Sequence, residues 1–196
     1  IMFKLVRLMA MIPVLLAAVA CSSMDSSSSG SGSSSASGSA RPDLEQKARD
    51  AYRTLIEKTP KAGELATKAT AVLVFPDIVK AGFLVGAQEG NGVMFGPDGK
   101  VMGYYNVTAL SYGLQAGAQT FHQAFFLMTP AALSYLNSSD GWSVGMGPSV
   151  VVVDEGKAKS MTTTTLQSDV YAFIYGQEGL MAGLGVQGQK ITKTKP

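Results

Sequence analysis

Eighteen of the 22 glycines fall between Gly82 and Gly188, and this placement constrains the fold more than any other feature of the chain. Four pairs recur at Gly-x-x-x-Gly spacing: Gly82/Gly86, Gly113/Gly117, Gly141/Gly145 and Gly179/Gly183. In a strand, positions i and i+4 point to the same face, so each pair would open a strip free of side chains. Such strips let a sheet curve strongly, or let a helix or ligand approach its backbone. Two of the pairs continue as Gly-Ala-Gln, at Gly86-Ala87-Gln88 and Gly117-Ala118-Gln119. None sits in an apolar stretch of about 20 residues, which excludes membrane-helix packing through them.

Ahead of the glycine-rich region the pattern is helical. Pro42 and Asp43 suit a first turn, and Leu44, Ala48, Tyr52, Leu55 and Ile56 recur at three- and four-residue steps. Thr59-Pro60 should stop this helix, with a shorter one following through Leu65, Ala66 and Ala69. Glu45, Arg49, Arg53, Glu57 and Lys61 lie at i,i+4 steps with mixed signs, the pattern of a solvated face with weak ion pairs. From Thr70 the period changes. Val72 to Phe75 reads as a short strand ended by Pro76, and Gly96-Pro97-Asp98-Gly99 as a hairpin turn between Val93–Phe95 and Val101-Met102. Further strands are expected over 119–128, 150–153 (wholly apolar, hence buried), 162–166, 170–175 and 180–186. Thr129 should cap a helix with Pro130 at its first position. The expected fold is α+β, with N-terminal helices packed on a strongly curved, mostly antiparallel, Gly-rich sheet, barrel- or sandwich-like.

The N-terminal forty residues read as targeting and tether. Lys4 and Arg7 precede an uncharged run from Leu8 to Ala20, the length of a secretory signal and too short for a spanning helix of about 20 residues. Ala18-Val19-Ala20-Cys21 resembles a bacterial lipobox. Residues 1–20 are thus expected to be a lipoprotein signal peptide, and Cys21 the lipidated residue. Ser22 to Ala40 is almost wholly Ser, Gly and Ala, a flexible tether with a root-mean-square span of about 25 Å. The expectation is an exported protein, acyl-anchored through Cys21 to the cell envelope at the outer membrane, with a single domain over 41–196.

Charge and composition exclude several functions. Beyond the first twenty residues the chain holds 14 basic and 14 acidic side chains, so nothing draws it to nucleic acid. One Cys and one His cannot build a disulfide framework or a multi-histidine metal site, and no cofactor is expected. Gly141-Trp142-Ser143-Val144-Gly145 matches the nucleophile elbow of hydrolases, but an apolar strand follows it and His122 precedes it, the reverse of what that device needs. Gly183 to Gly188 matches a dinucleotide fingerprint with only eight residues after it, too few for the required helix, strand and acid. His122, among Phe121, Phe125 and Phe126, reads as structural. No acid/base pair at a catalytic spacing stands out, and no enzyme is expected.

Three ordered blocks resemble the SYLF domain, also described as the yeast actin-binding, lipid-binding domain. They are Ala71-Val72-Leu73-Val74-Phe75-Pro76 with Lys80-Ala81-Gly82-Phe83, Gly86, Gly90 and Gly92-Val93; then Ser111 to Gln119; then Asp169-Val170-Tyr171 with Tyr175, Gly179-Leu180, Gly183 and Gly188. The resemblance implies a phospholipid-binding module. Eukaryotic relatives bind phosphoinositides through a basic amphipathic N-terminal helix, and some bundle actin. That helix would fall on Arg49, Arg53, Lys58 and Lys61, the residues the resemblance assigns to lipid. The leading expectation is an envelope lipoprotein whose domain binds membrane phospholipid. The alternative is a non-enzymatic outer-membrane scaffold without lipid affinity, its protein partners unknown.

Overall fold

The computed structural model describes residues 36–138, 141–153 and 167–194. Cys21, the signal segment and the strand expected over 162–166 lie outside them. Helix α1 spans Ala36–Lys58 and α2 spans Pro60–Ala66, so Thr59-Pro60 does separate two helices. The first begins inside the stretch read as tether, and Pro42 lies within it. A run of Ser, Gly and Ala has no apolar face that could have marked this boundary. Strands β1 (Ala71–Phe95) and β2 (Val101–Leu127) form one long hairpin. Helix α3 (Pro130–Leu136), the short β3 (Trp142–Ser143), β4 (Val150–Val153) and the long β5 (Val170–Lys193) follow.

The sheet order is β1-β2-β5-β3, with β4 joined to β5. All pairings are antiparallel except β4 with β5. The α+β expectation holds. The sheet is a strongly curled half-barrel, neither a closed barrel nor a sandwich.

Its curl comes from bends within the long strands. β1 folds back at Leu84, a non-glycine residue at φ 63°, where its pairing with β2 also shifts register between Phe83 and Val85. The two halves of β1 then lie against each other so closely that a Cβ at Gly90 would stand 2.8 Å from Ile78 Cγ1. A Cβ at Gly82 would collide with Gly86 itself, so this glycine pair serves close backbone approach.

Several sequence expectations fail here for identifiable reasons. Pro76 does not end β1. The register slips between Phe75 and Ile78, and the proline, which cannot donate to a ladder, is absorbed in that bulge. The strands expected at 170–175 and 180–186 are one strand, because pairing with β2 carries β5 past its glycines. The run Val150–Val153 is not buried throughout. Only Val153 is buried, and Val151 and Val152 are exposed, since an apolar run alone does not say how many faces are covered. Gly141/Gly145 is not a strand strip either; both have positive φ, 72° and 97°, in the turns flanking β3.

Two apolar clusters sit on opposite faces of the sheet. On one, Ala48, Leu55, Ala62 and Leu65 of the helices pack on Val74, Val93, Phe126 and Phe173. On the other, Leu136 of α3 and Trp142 cover Phe75, Tyr105, Val107 and Phe125. This second face is the concave one, because Gln189 on the last half of β5 donates across it to Gln123 on the last half of β2, at 2.7 Å. The expected cap and turn are both present. Thr129 Oγ1 accepts from the Ala132 amide at 3.2 Å, and Gly96 N–H donates to Lys100 C=O at 2.9 Å.

Candidate functional site

The bend end of the half-barrel lies beyond the reach of either core. No Asp, Glu, Lys or Arg occurs in residues 81–88 of β1, in the whole of β2, or in residues 179–189 of β5. Cross-strand pairing gathers these segments into rows: Ala81 opposite Ala118 and Ala118 opposite Leu180, Phe83 opposite Ala116, Val85 opposite Tyr112. Seven large side chains of these segments face solvent. Phe83 and Tyr112 are 75% exposed, Leu114 77% and Leu180 87%, with Leu84, Val85 and Leu110 also exposed. The inward side is polar. Ser111, Gln115, Gln88 and Gln123 are buried, and Ser111 Oγ and the Gln115 amide bond to each other across the bend at 2.8 Å.

Polarity is therefore inverted at this end, with amides inside and leucine, phenylalanine and tyrosine outside. Water-soluble sheets normally do the reverse, and sheets facing lipid show this pattern. From Leu84 to Glu89, the first charged residue after the bend, is five residues, about 16 Å at ~3.3 Å each. That is about half the ~30 Å hydrocarbon thickness of a bilayer. Among the described residues no helix is long and apolar enough to cross a membrane.

The four basic residues assigned from the resemblance lie elsewhere, on α1 and α2. Arg49 and Arg53 share the wall of one groove of about 550 Å³ with Tyr52, Ile56 and Phe95; Lys58 and Lys61 do not line it. Arg49 donates to the Gly99 carbonyl at 3.2 Å and stacks its guanidinium 4.8 Å from the centre of the Phe95 ring. Arg53 pairs with Asp50 at 3.4 Å and Lys61 with Glu64 at 2.7 Å. Lys58 is exposed in the last turn of α1. Arg49 thus ties the helix to the hairpin turn, and Tyr104 does the same from β2 by donating to Glu45 at 2.5 Å. That contact pushes the Tyr104 phenol up.

The catalytic look-alikes take structural places. Ser143 pairs with Lys190 in β3, and turns rather than a helix follow it. His122 Nδ1 donates to the Pro76 carbonyl in the bulge, and its ring lies 5.3 Å from that of Tyr175. Residues 183–188 are strand paired with β2. Among the described residues no group of acids, His or Cys could hold a metal ion. Sequence reasoning missed the bend. Its available signal was β2, 27 residues without a charge, in which Leu110, Tyr112 and Leu114 frame Ser111 and precede Gln115.

Compared with known families, residues 108–196 match Ysc84, described as Las17-binding protein actin regulator. The match covers the second and third sequence blocks and runs from β2 through β5. No curated protein matches the chain.

Proposed function

We propose that this chain, whose residues 108–196 match the Ysc84 family model, is a non-enzymatic module that binds phospholipid and touches the bilayer with its bend. The inverted polarity of that end carries the reading, with Phe83, Tyr112, Leu114 and Leu180 outside and Gln88, Gln115 and Gln123 inside. Its depth suits burial in one leaflet and not a crossing. The nearest charges, Lys80, Glu89, Glu178 and Lys190, are of both signs, so the contact is apolar first and electrostatic second. An acyl chain on Cys21, with the residues between it and Ala36 as tether, would hold the domain at an envelope membrane, taken here to be the outer membrane. In that setting neither Las17 nor actin, the names in the family description, would meet the chain.

The test is co-sedimentation of the chain from Ser34 onward, a compact unit that contains every described residue and omits Cys21. Neutral and anionic phosphatidylcholine-based vesicles are compared at low and high salt. Saturable binding to neutral vesicles that survives high salt is expected. Binding only to anionic vesicles, lost in salt, would move the contact to Arg49 and Arg53. No binding to any vesicle would leave the scaffold reading in its place.

A further inference from the structure

Behind the apolar bend, on the concave face, a cleft of about 290 Å³ is lined by six glutamines: Gln88, Gln119, Gln123, Gln177, Gln187 and Gln189. They come from all three long strands and from both sides of the bend, so the curl itself assembles them. Two are engaged. Gln189 donates to Gln123 at 2.7 Å, and Lys80 donates to Gln187 at 3.0 Å. Gln88 is different. It is only 5% exposed, and neither its Nε2 nor its Oε1 has a hydrogen-bond partner.

A buried polar group left unpaired has given up its hydrogen bonds to water with nothing in return. A leucine of similar size would avoid that cost, and the neighbouring glycine-rich sheet offers no reason for an amide. We infer that the cleft is a binding site for a neutral polyhydroxylated ligand, a single sugar ring, with Gln88 as its central contact. The Gln88 amide asks for an acceptor and a donor side by side, and adjacent hydroxyls supply both, since each hydroxyl donates and accepts. No acidic side chain lines the cleft, so nothing there calls for a cation, and Lys80, the charged side chain on its wall, is held by Gln187. The apolar patch that a sugar's C–H face requires is present in Phe121 and Ile174. The volume lies at the small end of ligand sites, which run from ~300 to ~1,000 Å³. This inference does not depend on lipid binding.

Ligand-observed saturation-transfer NMR on the full chain, with D-glucose, N-acetylglucosamine, glycerol and acetamide as separate probes and no vesicles present, tests it. Saturable transfer to at least one of the two sugars is expected. A matching rise in unfolding temperature should follow, because a ligand that binds only the folded state stabilises it. Gln88→Leu should weaken that binding at least tenfold while leaving the chain folded and no less stable. Transfer to acetamide alone would replace the sugar with an amide ligand and overturn the assignment. Absence of transfer to every probe would mean that water alone fills the cleft, and would overturn it as well. Should the Gln88→Leu chain fail to fold, the titration of the unaltered chain still decides. Undiminished sugar binding by a folded Gln88→Leu chain would remove Gln88 from the site.

Discussion

Gly92 faces Phe75 across the fold of β1, so closely that a Cβ on Gly92 would stand 2.5 Å from Phe75 Cδ1 and 2.8 Å from the Val74 carbonyl oxygen. Phe75 is fully buried and makes an edge-on contact with Phe125, centroids 6.1 Å apart. It has no room to retreat, and the Val74 contact is with backbone. Gly92→Ala is therefore expected to destabilise the fold by about 1–3 kcal/mol, the usual cost of overpacking. Urea unfolding of the two chains measures it. An unchanged midpoint would mean that the halves of β1 do not meet here.

Asp169 closes a different junction. Its carboxylate accepts from the Ser149 amide at 3.0 Å, from Ser149 Oγ at 2.8 Å and from Thr129 Oγ1 at 3.4 Å. It thereby joins the cap of α3, the approach to β4 and the start of β5. The Ser149 hydrogen bonds hold its pKa below the ordinary 3.8. A depressed folded pKa gives stability that is complete above the unfolded value and disappears as pH falls through the folded one. Asp169→Asn should therefore lower the urea midpoint at pH 7, and the gap from the parent chain should narrow towards pH 3. Equal gaps at both pH values would refute the linkage.

What could be read in the sequence was what depends on near neighbours. Thr129-Pro130 and Gly96–Gly99 signal a cap and a turn within four residues, and both formed. Pro76 misled because its fate depends on β2, where a one-residue slip opposite His122 accommodates it. The fold-back at Leu84 was signalled only by the flanking Gly82/Gly86 pair, which permits a bend without placing it, since leucine is not a residue that announces positive φ. The bend was hidden for the same reason. Leu114 and Leu180 look like core residues until the curl carries them past the helices. The charges of α1 and α2, by contrast, are conspicuous in sequence, yet Arg49 and Lys61 have partners within the fold.

Leu84 carries left-handed backbone, which costs a non-glycine residue about 1–2 kcal/mol. Glycine would relieve that strain while losing about 0.5–1 kcal/mol of its advantage to unfolded-state entropy. Leu84→Gly should then match or slightly exceed the parent in stability, and Leu84→Ala, which keeps the strain, should fall below the glycine variant. Both should bind vesicles more weakly, because both remove an exposed apolar side chain from the bend. Thermal unfolding and co-sedimentation on the same samples separate the two effects. A glycine variant less stable than the alanine variant would show that the turn does not store strain.

The bend and the basic helix make opposite demands on charge, and that distinguishes them. Leu114 and Leu180 are so exposed that aspartate at either position should leave the core untouched. Burying one leucine side chain fully is worth about 1.5–3 kcal/mol, and 1.4 kcal/mol is a factor of ten in affinity. Leu114→Asp with Leu180→Asp should therefore lower binding to neutral vesicles by well over tenfold, with the unfolding midpoint little changed. Arg49→Glu with Arg53→Glu should alter binding to neutral vesicles less than threefold, since those vesicles offer no net charge to repel. If the ranking reverses, with the arginine pair decisive and the leucine pair silent, the membrane contact lies on the helical face and the apolar bend must be covered by something other than lipid.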